Sequence, residues 1–162
     1  MRCLIIGCGC RGQLLSRELV RRGQAVRGTT REPARLAGIE AAGAEAVRAD
    51  PDRVATLVSA LDHVSVVCVL LGSAAGSPEQ VAALHSTRLE MLLTKIVDTT
   101  VRGVVYEARG SVDAAVLAAG AARVRAFGER SSAGWELLDA DPADHVAWPA
   151  AAVAAIDGVL AR

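Results

Sequence analysis

A glycine-rich segment near the amino terminus is the feature that most restricts how this chain can fold. Gly7, Gly9 and Gly12 are spaced as G-x-G-x-x-G. They follow an apolar run at residues 3–6, and the residues after them show apolar side chains at helical spacing up to Gly23. The sequence therefore predicts a buried strand, a tight glycine turn and a helix, in that order.

The rest of the chain repeats this alternation of short apolar runs and helical patterns. The predicted strands are residues 3–6, 24–29, 45–48, 64–71, 101–106 and 122–127. The later predicted helices are residues 33–43, 50–61, 77–95, 111–120 and 149–160, with caps at Asp50, Ser77 and Ser111. The buried side of the long helix is predicted to carry Val81, Leu84, Met91, Leu92 and Ile96.

Strands that alternate with helices pair in parallel through right-handed crossovers. We therefore predict a doubly wound α/β fold of the Rossmann type, with a mainly parallel six-stranded sheet and helices on both faces. A single domain is expected to span residues 1–162 and to end in a short helical tail.

The charges are balanced, and this argues against a nucleic-acid partner. Lys plus Arg and Asp plus Glu both number 18, so there is no basic excess to attract a phosphate backbone. The longest apolar run, residues 64–71, is too short to cross a membrane, and the first apolar run reaches Gly7 too early for a secretory signal. We expect a cytoplasmic protein without a membrane partner.

The cysteines and histidines do not form a metal motif. Cys8-Gly9-Cys10 lacks the C-x-x-C spacing of a zinc site, and the three histidines are scattered. Cys3 and Cys68 lie in apolar strand patterns and are expected in the core. No metal site is predicted, and a redox role for Cys8 and Cys10 stays open as the minor alternative.

The glycine segment has the spacing and the context of a phosphate-binding turn. In such turns the first glycine permits the tight bend, the second lets the backbone approach a pyrophosphate, and the third allows close packing of helix on strand. The free N–H groups at the start of the helix favour an anion. We predict that the residues of this turn bind a dinucleotide: Gly7, Gly9, Cys10, Arg11 and Gly12. The alternative is a purely structural turn.

The end of the second strand indicates which dinucleotide is bound. An NAD site usually has an acidic residue here for the ribose hydroxyls, whereas this chain has Thr30 and Arg31. The Arg31 guanidinium and the two hydroxyls of Thr29 and Thr30 suit a 2′-phosphate. We therefore predict NADP as the cofactor in preference to NAD. The alternative is a solvated Arg31 beside Glu32.

Over residues 2–128 the chain resembles the atypical and extended short-chain dehydrogenase/reductases. The resemblance rests on Thr30-Arg31, Ala49-Asp50, the segment Val69-Leu70-Leu71-Gly72 and the patterns at residues 87–93 and 101–106. It implies that Asp50 meets the adenine amino group. It also implies that the backbone at Leu71 and Gly72 passes beneath the nicotinamide ribose.

The chain departs from that family at the catalytic motif, Tyr-x-x-x-Lys. Tyr106 is the single tyrosine, position 110 is glycine, and Lys95 precedes both. We therefore expect the usual acid catalysis to be absent. The residues after Phe127 suffice for one or two helices, so a substrate pocket should be shallow or completed by a second subunit in a homodimer.

Glu107 and Arg109 follow the predicted fifth strand, at the edge where open α/β sheets bind ligands. They are candidate substrate-side residues, and the alternative is an exposed ion pair.

Three functions stay open at this point. The first is a small NADP-dependent reductase acting on an unidentified small molecule, with water or Glu107 supplying a proton. The second is a non-catalytic NADP(H) sensor that acts through a protein partner. The third is a regulatory nucleotide-binding domain like those that gate potassium uptake, disfavoured because the second strand lacks the acidic residue those domains carry.

Overall fold

Six parallel strands form the central sheet of the computed structural model, which describes residues 1–162. The strands are β1 (Arg2–Ile6), β2 (Ala25–Thr30), β3 (Glu45–Arg48), β4 (Val66–Val69), β5 (Gly103–Glu107) and β6 (Gly134–Leu138). Their order is β3-β2-β1-β4-β5-β6, and each neighbouring pair is parallel. The predicted doubly wound fold with six parallel strands is confirmed.

Helices cover both faces of the sheet. They are α1 (Cys10–Arg21), α2 (Leu36–Ala41), α3 (Pro78–Leu84), α4 (Thr87–Ile96), α5 (Ala114–Arg130) and α6 (Ala147–Leu160). The apolar residues of α1, α2 and α6 pack on one face, and those of α3, α4 and α5 pack on the other. None of these helices combines the length and apolar character that crossing a bilayer requires.

The sixth strand lies later in the chain than predicted. Residues 122–127 belong to α5, and β6 is Gly134–Leu138. Alanine has the highest helix propensity of all residues, and the buried positions Leu117, Ala121 and Val124 follow helical rather than strand spacing. Gly120 lies within α5 and does not end it. A side chain at this position would overlap the Tyr106 hydroxyl, so glycine is needed here for packing.

The long helix predicted at residues 77–95 is divided in two. Its start is as predicted, with a capping box in which Ser77 accepts from the Gln80 N–H. The helix stops at His85, whose side chain turns into the core, and α4 begins anew at Thr87. Met91 is 47% exposed, contrary to its predicted burial, because the buried face of α4 is formed by Leu89, Leu92, Leu93 and Ile96.

Two further helix predictions are wrong in detail. Instead of the α-helix predicted at residues 50–61, the structure has two 3-10 turns, Val54–Leu57 and Ser59–Leu61. Buried residues recur every third position there, which matches the three residues per turn of a 3-10 helix. The cap of α5 is Asp113 and not Ser111, because Asp113 Oδ1 accepts from the Ala115 N–H at 2.8 Å.

The topology creates a crevice between the two halves of the sheet. The chain proceeds from β1 outward through β2 to β3, then crosses back to place β4 on the other side of β1. Connections leave the carboxyl ends of β1 and β4 in opposite directions, and ligands of open α/β sheets bind at such a reversal.

Candidate functional site

A groove of about 360 Å³ lies at this reversal, where β1, β2 and β4 end. It joins the glycine turn, the end of β2 and the segment that follows β4. Eight of the predicted site residues line it: Gly7, Gly9, Cys10, Arg11, Gly12, Thr30, Arg31 and Leu71.

The three glycines have different environments in the turn. Gly7 has φ +78°, and a Cβ there would lie 2.6 Å from the Leu70 carbonyl oxygen. A Cβ at Gly12 would lie 3.2 Å from Ile5 Cγ2 in β1, which shows how closely α1 approaches the sheet. A Cβ at Gly9 would meet only Arg35 Nη1, at 3.7 Å. The backbone at Gly9 is therefore open to a ligand.

The start of α1 has unused hydrogen-bond donors. Gly9 is its N-cap residue and provides no side-chain cap. The first N–H groups of a helix have no partner within the helix, and its dipole makes this end positive. The open backbone at Gly9 and these N–H groups together form a site for an anion such as a pyrophosphate.

The end of β2 brings two arginines to the groove. Arg31 extends across it, and its Nη2 donates to the Ala75 carbonyl oxygen at 3.3 Å. Arg35 also lines the groove, and its Nε donates to Glu32 Oε2 at 2.8 Å. Sequence analysis missed Arg35. The turn that begins at Pro33 was the available signal, because it brings the chain back toward the glycine turn.

Two of the predicted cofactor residues are not part of the groove lining. Asp50 Oδ1 accepts from the Asp52 N–H at 2.9 Å, while the neighbouring residues Ala49 and Pro51 line the groove. Gly72 lies behind the groove wall, where its N–H donates to Glu107 Oε2 at 2.9 Å.

Glu107 is a buried carboxylate whose two oxygens both accept hydrogen bonds. Oε1 accepts from Arg11 Nε at 3.2 Å and Nη2 at 3.0 Å, and Oε2 accepts from Gly72. Burial raises the pKa of Glu107, although the Arg11 charge and the Gly72 N–H act in the opposite direction. Arg109 is exposed, and its Nη2 lies 3.7 Å from Asp141 Oδ2. Because Glu107 pairs with Arg11, the two predicted substrate-side residues do not form an ion pair with each other.

Tyr106 and His85 are also buried, and they form a hydrogen-bonded chain with Leu71. His85 Nε2 is 3.1 Å from the Leu71 carbonyl oxygen, so Nε2 must be the donor. His85 Nδ1 is then an acceptor, and the Tyr106 hydroxyl donates to it at 2.6 Å. Burial lowers the pKa of His85 and raises the pKa of Tyr106, so both groups stay neutral at pH 7. The Tyr106 hydroxyl and both ring nitrogens of His85 are therefore used in hydrogen bonds inside the core.

The cysteines are all free thiols, in two kinds of environment. Cys3 and Cys68 are buried in the sheet with their Sγ atoms 3.6 Å apart. Burial raises the pKa of Cys8 to about 11, which disfavours the reactive thiolate. Cys10 is exposed at the first position of α1.

Comparison with known proteins gives one family and several structures of the same fold. The NAD(P)H-binding family matches residues 7–151. No curated protein sequence matches the chain. A short-chain dehydrogenase/reductase superfamily protein from Agrobacterium tumefaciens, solved with bound NAD, is 18% identical with a TM-score of 0.71 over 85% of this chain and 48% of its own.

Two other similar structures carry different functions. Citrobacter sp. triphenylmethane reductase, solved with NADP(H), is 17% identical with a TM-score of 0.65, covering 84% of this chain and 48% of its own. Thermotoga maritima UDP-glucose 4-epimerase, solved with UDP-glucose, is 12% identical with a TM-score of 0.70, covering 85% and 54%.

The present chain spans about half the length of these structures. At such low identity they show only that the fold is shared. The family match covers most of the chain and includes the glycine turn, the end of β2 and the segment after β4. This protein belongs to the NAD(P)H-binding family.

Proposed function

We propose that this protein binds NADP(H) in the groove at the carboxyl ends of β1, β2 and β4. The observation that carries the proposal is the charge distribution at the end of β2. Arg31 and Arg35 both line the groove there, and the acidic residue beside them, Glu32, is already paired with Arg35. A site for NAD would present a free carboxylate to the ribose hydroxyls.

The two arginines suit a 2′-phosphate in different ways. Arg31 is exposed, and its long hydrogen bond to the Ala75 carbonyl can be exchanged for a charge-assisted one. Arg35 is already oriented by Glu32 and lies beside the open backbone of Gly9. Asp50 keeps Oδ2 free of protein hydrogen bonds, which fits the role toward adenine that the family resemblance implies.

The cofactor's contribution would be a hydride, and the buried titratable residues of β5 and the α3–α4 connection are not free to accompany it with a proton. Glu107, Tyr106 and His85 are buried and use their polar atoms within the protein. This arrangement favours a small reductase whose acceptor needs no protein proton donor, such as a quinone or a flavin. A non-catalytic NADP(H) sensor acting through a partner is the second candidate. It is supported by the same observation, that the polar atoms of these three residues bond within the protein.

Calorimetry with NADP⁺ and NAD⁺ tests the binding proposal. NADP⁺ should bind at least about tenfold more tightly, a difference of about 1.4 kcal/mol. Arg31→Ala should remove most of the preference, and Arg35→Ala should reduce it. Arg17→Ala is the matched control, because Arg17 is an exposed arginine of α1 outside the groove. Equal affinities in the parent protein would overturn the assignment to NADP. NADPH oxidation by quinones separates a reductase from a sensor.

A further inference from the structure

The ion pair between Arg11 and Glu107 joins parts of the chain that are 96 residues apart. Arg11 is in the first turn of α1, and Glu107 is the last residue of β5. Glu107 is fully buried, while the Arg11 side chain remains 27% exposed at the groove. The same carboxylate accepts from the N–H of Gly72, so it connects the first turn of α1 to the loop that follows β4.

Arg11 is held from a second direction by the last helix. Its Cζ atom lies 5.8 Å from the centre of the Trp148 ring, and Trp148 is fully buried in α6. A guanidinium over an indole face at this distance gains a cation–π interaction. The pair with Glu107 uses Nε and Nη2, which leaves Nη1 without a hydrogen bond to the protein.

We propose that Glu107 is a positioning residue of the cofactor site, which holds Arg11 so that the free side of its guanidinium binds the pyrophosphate. This inference rests on the proposed dinucleotide binding and extends it. A guanidinium that is fixed before the ligand arrives loses little side-chain entropy on binding. Because the pyrophosphate is common to NAD and NADP, Arg11 and Glu107 should affect both affinities equally.

The direction in which Glu107→Gln changes the affinity for the dinucleotide distinguishes a positioning role of Glu107 from a purely electrostatic one. Glu107→Gln removes a negative charge close to the anion site, which on Coulombic grounds alone would strengthen phosphate binding. If Glu107 acts by positioning, the same change weakens binding. A glutamine has one acceptor oxygen and one amide group, so it cannot accept from both Arg11 and Gly72 as the carboxylate does.

Titration calorimetry with NAD⁺ and NADP⁺ on Glu107→Gln is the deciding measurement. We expect both affinities to fall about tenfold, the effect of losing a charged hydrogen-bond network, with their ratio unchanged. Glu18→Gln is the matched control, since Glu18 is a carboxylate of α1 that pairs with Arg21 on the surface. It should bind both nucleotides as the parent does.

Fluorescence shows whether the effect passes through Arg11. The chain has two tryptophans, so Trp135→Phe leaves Trp148 as the single reporter. In that background NADP⁺ should change the Trp148 emission, and the added Glu107→Gln should abolish the change. Parent-like or stronger binding by Glu107→Gln would overturn the proposal. Weakened binding with an unaltered Trp148 response would also overturn it, because Glu107 would then act on the fold.

A second variant decides the matter if Glu107→Gln does not fold. Arg11→Lys keeps the positive charge but lacks the planar fork that binds Glu107 and a phosphate together. It should show the same loss for both nucleotides, and parent-like binding would overturn the proposal. If the parent protein binds neither nucleotide, the dinucleotide function itself fails, which is a different result from binding that Glu107 does not affect.

Discussion

The Tyr106 hydroxyl donates a 2.6 Å hydrogen bond to Nδ1 of His85, and both side chains lie inside the core. Their rings meet edge to face with centres 5.8 Å apart. The far side of the imidazole donates to the Leu71 carbonyl at the edge of the groove. These two hydrogen bonds link the sole tyrosine to the groove wall through the core, and we expect them to stabilise the fold.

Removing the Tyr106 hydroxyl should lower stability. Tyr106→Phe leaves His85 Nδ1 without its donor in a buried position, at a cost of about 1–2 kcal/mol in the free energy of unfolding. The melting temperature should fall by roughly 3–6 °C. Urea unfolding monitored by circular dichroism measures the change. Unaltered stability would mean that the hydrogen bond contributes nothing to the fold.

Stability should also depend on the protonation of His85. Burial lowers the pKa of His85 in the folded protein below its ordinary value of 6.5. The unfolded chain therefore binds the proton more readily, so the fold is stable above that ordinary value and loses stability as the pH falls below it. Protonation would make both ring nitrogens donors and would break the bond from Tyr106.

The difference in unfolding free energy between the parent and His85→Gln isolates this effect. A glutamine can donate and accept but does not titrate in this range. The difference should be constant above about pH 7 and should shift in favour of the variant toward about pH 5. His145→Gln is the control, since His145 is exposed. A constant difference over the whole range would show that His85 does not titrate with unfolding.

The glycine turn and the end of β2 could be predicted because their evidence is local. The spacing from Gly7 to Gly12 lies within six consecutive positions, and the following strand supplied Arg31. The bend of the turn is made by the backbone of these same residues, so it could be predicted without knowledge of distant contacts. The parallel sheet followed from the alternation of strands and helices, which survives errors in individual boundaries.

What the sequence could not show depends on contacts between distant residues. From the local sequence Gly120 was predicted to end a helix. The structure shows instead that the Tyr106 hydroxyl occupies the space that a side chain at this position would need. Glu107 has the character of an exposed strand-end carboxylate, but its partner is Arg11, far earlier in the chain. His85 interrupts a helical pattern because it bonds to Leu71 and Tyr106 in the core.

A side chain at Gly9 should block the groove without harming the fold. Gly9 has φ −83°, which any residue adopts, and a Cβ there meets only the end of the flexible Arg35 side chain. Gly9→Val should therefore keep a native circular dichroism spectrum and abolish NADP⁺ binding in calorimetry. Ala118→Val, on the exposed side of α5, is the control for adding a branched side chain. Retained binding by Gly9→Val would place the pyrophosphate elsewhere.

The commitment of Tyr106 to the core predicts which reactions this protein does not catalyse. Members of the short-chain dehydrogenase/reductases use a tyrosine activated by a lysine four residues later, and here position 110 is glycine. General acid catalysis typically supplies about 10²–10⁴-fold in rate. With NADP⁺ and simple secondary alcohols, we expect no turnover above the uncatalysed rate. With NADPH and quinones or flavins, whose reduction needs little proton transfer from the protein, we expect measurable NADPH oxidation. Tyr106→Phe should oxidise NADPH at about the same rate as the parent. A large loss of turnover in that variant, with cofactor affinity intact, would make Tyr106 catalytic and contradict its assignment to the core network.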